Sequence, residues 1–182
     1  MIQTQKNLNL PNILAAFRIL LAPLMLWLLI DRDNALFASW HPSWLDYFAG
    51  LVFVIASITD FFDGYIARTW DQMTQLGAII DPLADKMLML AGFLGLMMLD
   101  RASAWAVFLI LTREFFITGL RVMAVSQGKS VASTMAGKVK TVVQMIAIGF
   151  LIMNWPYATT LLWIAVILTL YSGYEYIKEF FN

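Results

Sequence analysis

Cysteine is absent from this 182-residue sequence, and histidine occurs once. The first absence rules out disulfides and thiolate metal sites, and says little about compartment. Charge is scarce as well: Asp, Glu, Lys and Arg make up 13% of the chain, where soluble domains carry roughly 25%. The 12 basic and 12 acidic side chains cancel, so nothing in the charge balance points to nucleic acid. Low-complexity tracts and internal repeats are missing too. A cleavable leader is not expected, because Arg18 interrupts the first apolar run and no small-residue cleavage site follows. What fills the chain is apolar: 61% of residues are hydrophobic. Such a composition predicts an integral membrane protein forming one domain over residues 1–182.

A membrane-spanning helix needs about 20 mostly apolar residues. Six segments qualify: Asn12–Ile30, Asp46–Ala67, Leu76–Leu99, Ala104–Ser126, Met135–Met153 and Ala158–Ile177. The expected fold is therefore all-α, with six transmembrane helices. The polar lead-in MIQTQKNLNLP has the character of an N-terminal interfacial helix. Connections are short, and only residues 31–45 are long enough to fold over a face. With both termini cytoplasmic, Lys6, Arg68, Lys129, Lys138, Lys140 and Lys178 fall on or near the inner side, against Arg32 and Arg101 outside. That bias favours an N-in, C-in topology. Trp40, Trp44, Trp155 and Tyr157 then lie near the outer boundary, where amphipathic rings prefer to be.

Within this apolar frame stand four aspartates, Asp60, Asp63, Asp81 and Asp85. An ionised carboxylate at mid-membrane depth costs about 2.5–3.5 kcal/mol on insertion scales. Four in one stretch also repel each other, so something positive must sit among them, and divalent cations are the usual candidates. Asp60 and Asp63 are three apart and share a helix face, extended by Gly64 and Ala67. Gly77, Asp81 and Asp85 recur every four residues and share a face of the next helix. The small residues leave room for a ligand. Pro82 removes a backbone donor and kinks its helix or starts it at Asp81. Two facing helices with two carboxylates each can hold two hard cations, and paired metals can clamp both oxygens of a phosphoryl displacement. Two blander readings stand beside this one: pairing of some aspartates with Lys86 or Arg68, and an acidic ion pathway.

The stretch DFFDGYIARTWDQMTQLGAIIDPLAD reads D-x2-D-G-x2-A-R-x8-G-x3-D-x3-D. It resembles the signature of the CDP-alcohol phosphotransferases, and meets it at Asp60, Asp63, Gly64, Ala67, Arg68, Gly77, Asp81 and Asp85. The resemblance implies an enzyme that moves a substituted phosphate from a CDP-linked donor to an alcohol and releases CMP. It also implies two divalent ions, Mg²⁺ or Mn²⁺, held by Asp60, Asp63 and Asp81, with Asp85 as general base sharing in metal binding. Gly64, Ala67 and Gly77 would line the cytidine site, Arg68 would assist the donor phosphates, and the enzyme would be a homodimer.

The other polar residues bear on the acceptor. Arg113 and Glu114 sit in LTREFFITGLR, with Arg121 eight residues beyond Arg113 on the same face, and Lys138 and Lys140 open the fifth span in AGKVKTVVQ. Basic groups here suit a phosphorylated acceptor. Equally, the lysines could be positive-inside anchors and the Arg113–Glu114 pair could bond other buried groups.

The opening NLPNILAAFRILLAP, at Pro11, Asn12, Leu14 and Arg18, resembles the family branch that makes phosphatidylglycerophosphate, as do the TRE and GKxKT segments; Ala15 stands where many members have Thr. The implied reaction joins CDP-diacylglycerol to sn-glycerol 3-phosphate in the bacterial inner membrane, at a site facing the cytoplasm. Asn12 and Arg18 would support the donor phosphates, or Arg18 would serve as a structural intramembrane donor. Inositol phosphate, serine or phosphatidylglycerol are the alternative acceptors. A small divalent-cation carrier is the reading from another class, but it predicts carboxylates spread through the membrane rather than gathered on one side. His41 is expected to be an outer-loop residue with no catalytic role.

Overall fold

The computed structural model describes residues 10–37, 39–69, 75–126 and 135–181, with side chains described except at 10–11, 61–69, 75–82, 125–126 and 181. The described chain is all helical: α1 (Leu10–Ile30), a 3₁₀ turn (Ala35–Phe37), α2 (Pro42–Thr69), α3 (Gln75–Met98), α4 (Ala104–Ser126), α5 (Met135–Ile152) and α6 (Ala158–Phe181). The proposed interfacial segment at residues 1–9 lies outside the described residues. Among the described residues, four helices are long and apolar enough to cross a membrane, over Asn12–Ile30, Pro42–Asp60, Met135–Ile152 and Ala158–Phe180. The two others carry the charges: Asp81, Asp85 and Lys86 on α3, and Arg113, Glu114 and Arg121 on α4.

Polarity is distributed inside out. Large apolar side chains such as Leu20, Trp105 and Ile167 are among the most exposed, whereas Arg18, Gln144, Thr169 and Ser172 are buried. A water-soluble protein does not expose apolar patches along every helix. A protein solvated by lipid does, and it keeps its polar groups within the bundle.

The chain forms two compact units, Met1–Leu99 and Asp100–Asn182. In the first, α1 packs against both α2 and α3. Small buried residues permit this: Ala15 and Ala22 on α1, Ala49 and Ala56 on α2, Ala84 on α3. Gly95 on α3 lies directly on Leu29, where an added Cβ would stand 2.7 Å from Leu29 Cδ1. In the second unit, α6 packs against both α5 and α4, around Ile110, Ile148, Leu151, Leu162 and Ala165.

Helix ends follow local chemistry. α2 begins at Pro42, four residues before the sequence-based boundary at Asp46, because His41 caps it. The Ser43 N–H donates to His41 Nδ1 at 3.3 Å, and proline is favoured at the first helical position, where its missing N–H costs nothing. The described residues between α1 and α2 are held by local contacts. Trp27 Nε1 donates to Asp31 Oδ2 (2.8 Å), Arg32 Nε to the Leu29 carbonyl (3.0 Å), and Arg32 pairs with Asp46 on α2. Trp27, Phe37, Trp40 and Phe48 stack in sequence with centroids 5.0–5.6 Å apart. In the second unit, Arg101 Nη1 donates to the Ile152 carbonyl at 2.7 Å, closing the last turn of α5.

Candidate active site

α3 starts at Gln75 and runs unbroken through Pro82, so the alternative start at Asp81 is not adopted. α2 stays helical to Thr69. Asp60, Asp63, Gly64 and Ala67 therefore occupy positions i, i+3, i+4 and i+7 of one helical stripe, and Gly77, Asp81 and Asp85 occupy i, i+4 and i+8 of another. The side chains of Asp63, Gly64, Ala67, Arg68, Gly77 and Asp81 lie outside the described residues, whereas those of Asp60 and Asp85 are described. Among the described residues no group of three or more metal-ligating side chains occurs. The donor set is carboxylate oxygen, which suits hard divalent ions.

Asp60 has its partner on the neighbouring helix. Arg18, wholly buried on α1, forms an ion pair with Asp60 Oδ1, whose side chain is 39% exposed. The blander reading of the sequence pairs some aspartates with Lys86 or Arg68; for Asp60 the described partner is Arg18. A signal existed. Arg18 stands eight residues from the start of α1 and Asp60 nine from the end of α2, so antiparallel neighbours would bring them level. Asn12, in the first turn of α1, is buried.

The second unit holds the other polar cluster. Glu114 Oε1 accepts from Lys140 on α5 and, at 3.3 Å, from Arg113 Nη1. Arg113 Nη2 also donates to Ser172 Oγ on α6 at 2.9 Å, and Ser172 in turn donates to the Thr169 carbonyl. Gly173 makes room for the arginine: a Cβ there would stand 3.1 Å from Arg113 Cγ and 3.2 Å from its Nε. The Arg121 guanidinium lies 5.9 Å from the centroid of the Tyr176 ring, within cation–π range. Lys138 and Lys140 separate: Lys140 is buried and Lys138 exposed, as two residues apart on a helix must be. The cluster thus gathers Arg113, Glu114 and Lys140 with Ser172, and leaves Lys138 on the surface. Ser172 and Gly173 are missed by sequence reasoning, since a serine and a glycine in an apolar helix look like packing.

The sequence profile of the CDP-alcohol phosphatidyltransferase family matches residues 8–171. The chain belongs to this family. Among relatives named CDP-diacylglycerol–glycerol-3-phosphate 3-phosphatidyltransferase, the chain is 40% identical to that of Bacillus subtilis, over 94% of both chains. It is 37% identical to that of Rickettsia typhi, over 93% of this chain and 96% of the relative. Identity to that of Escherichia coli K12 is 36%, over 93% of both. As a CDP-alcohol phosphatidyltransferase, the protein has the eight signature residues on the two helices α2 and α3, and the family match runs through both compact units.

Proposed function

We propose that the protein transfers the phosphatidyl group of CDP-diacylglycerol to sn-glycerol 3-phosphate, giving phosphatidylglycerophosphate and CMP. The observation that carries this reading is the 40% identity to the B. subtilis enzyme of that name over 94% of each chain. The unbroken aspartate signature supports the chemistry, and the part-buried Arg113–Lys140 cluster supports an acceptor that bears a phosphate.

In this reading Asp60, Asp63, Asp81 and Asp85 would hold two divalent ions, Mg²⁺ or Mn²⁺, which would neutralise the pyrophosphate and stabilise departing CMP. Arg18 fixes the Asp60 carboxylate. Asp85 takes the proton of the acceptor hydroxyl as that oxygen bonds to the phosphorus bearing diacylglycerol and the pyrophosphate P–O bond breaks. Asn12, Gly64, Ala67, Arg68 and Gly77 serve the donor. Arg113, Arg121 and Lys140 attract the acceptor phosphate, and the exposed Lys138 adds positive charge at the start of α5. The chain forms one family domain with six spans, N-in and C-in, in the bacterial inner membrane, as a homodimer, and works at the cytoplasmic face. The excess of Lys and Arg on that side supports the orientation.

An acceptor panel tests this. With CDP-diacylglycerol and Mg²⁺, purified protein should release CMP with sn-glycerol 3-phosphate. Inositol phosphate, serine and phosphatidylglycerol should each be inert, and turnover with one of them alone would reassign the acceptor.

A further inference from the structure

α5 carries a polar side chain that the site described above leaves unused. Gln144 is 1% exposed, and among the described residues neither its amide nitrogen nor its carbonyl oxygen has a hydrogen-bond partner. A carboxamide offers two donors and an acceptor. Leaving them unmet is costly, the more so inside a lipid-solvated bundle. Methionine or leucine would fill this volume without that cost.

Its position gives the amide a context. Gln144 follows Lys140 by four residues, so the two share a face of α5 with Cβ atoms about 5–6 Å apart. Lys140 is held by Glu114, and Arg113 touches the same carboxylate oxygen. A second orphan lies at similar depth: Thr169 Oγ1 is buried and lacks a partner among the described residues. Counted from the α5–α6 turn, Gln144 is eight residues before Ile152 and Thr169 eleven after Ala158, within one helical turn of each other in depth. The unit thus has a charged end, net positive, at Arg113, Lys140 and Glu114 and a neutral donor–acceptor end at Gln144.

We propose that Gln144 is a specificity-determining residue that reads the secondary hydroxyl of the phosphorylated polyol acceptor; this rests on the acceptor assigned above. In sn-glycerol 3-phosphate the phosphate matches the cations and the primary hydroxyl is the nucleophile. The secondary hydroxyl is the group left to be recognised. It both donates and accepts, and a carboxamide answers both.

The test pairs Gln144→Met with an acceptor lacking that hydroxyl, the monophosphate of propane-1,3-diol. For the unaltered protein kcat/KM should fall at least about tenfold on removing the hydroxyl. In Gln144→Met, KM for sn-glycerol 3-phosphate should rise at least about tenfold with KM for CDP-diacylglycerol unchanged, and the two acceptors should become equivalent. Thermal stability should hold or rise, since an orphaned amide is replaced by an apolar group of similar size. Gln144→Asn, whose amide is one methylene short, should fall between, and it serves if the methionine variant misfolds. Normal turnover of sn-glycerol 3-phosphate with undiminished discrimination in both variants would overturn this inference alone, leaving a bound water as the amide's partner. Absence of turnover with sn-glycerol 3-phosphate in the unaltered protein would instead overturn the acceptor assignment.

Discussion

Arg18 on α1, wholly buried, is ion-paired with Asp60 on α2. The pair joins the helix at the centre of the first unit to the first residue of the aspartate signature. The two partners are unequally exposed, so removing each has a different effect. Asp60→Ala removes the carboxylate partner of a wholly buried guanidinium, and should lower the unfolding temperature measurably in detergent. Arg18→Met leaves only a part-exposed carboxylate, so it should cost less stability. It should still cut CMP release at least about tenfold, because Asp60 loses the group that orients it. Equal unfolding temperatures for Asp60→Ala and the unaltered protein would remove the pair from the account.

The aspartates should separate into two kinds of loss. Chelation of divalent ions should abolish CMP release, and Mg²⁺ or Mn²⁺ should restore it. Asn at Asp60, Asp63 or Asp81 should shift the Mg²⁺ dependence to higher concentration as well as lower the rate. Asp85→Asn should lower the rate about 10²–10⁴-fold, the range for a lost general base. A titration of rate against Mg²⁺ for each variant checks this; an Asp85→Asn protein with full activity would strip that residue of its role.

The six helices are legible in the sequence because long, mostly apolar runs read as helices, four of them long and apolar enough to cross a membrane among the described residues, and the boundaries fall within a few residues of the expectation. The start of α2 at Pro42, four residues before the expected boundary, comes from a cap: His41 accepts the Ser43 N–H. Polarity had marked His41 as loop, and no periodicity announces a single side chain folding back. The aspartate stripes are legible because four charges in an apolar chain have few bland explanations. Their partners are not, because pairing is tertiary. Arg18 meets Asp60 across two helices, and Arg113 meets Ser172 59 positions away in sequence. Gln144 passed unnoticed because one glutamine in an apolar helix signals nothing until its lack of partners is seen.

Arg113 is held by α6, so α6 variants should act on the acceptor. Ser172→Ala removes a hydrogen bond to a charged group, worth about 1.5–3 kcal/mol. Gly173→Ala places a methyl group 3.1 Å from Arg113 Cγ, and the arginine must shift. Both should raise KM for sn-glycerol 3-phosphate and leave KM for CDP-diacylglycerol within about twofold. Equal effects on both constants would make the pair structural.

Gly95 sets the approach of α3 to α1. In Gly95→Ala the new methyl would lie 2.7 Å from Leu29 Cδ1 and 2.9 Å from Leu29 Cβ. Overpacking of this kind costs about 1–3 kcal/mol. Because Leu29 Cβ is itself too close, Leu29→Ala should relieve the clash only in part. A thermal-unfolding double-mutant cycle should show favourable coupling between the two substitutions; simple additivity would contradict the contact.

The most direct measurement is of products. Purified protein in lipid, given CDP-diacylglycerol, sn-glycerol 3-phosphate and Mg²⁺, should form phosphatidylglycerophosphate and CMP one for one, and neither without the divalent ion. CMP appearing at the same rate without sn-glycerol 3-phosphate, or full product formation under complete chelation, would contradict a metal-dependent phosphatidyl transfer to that acceptor.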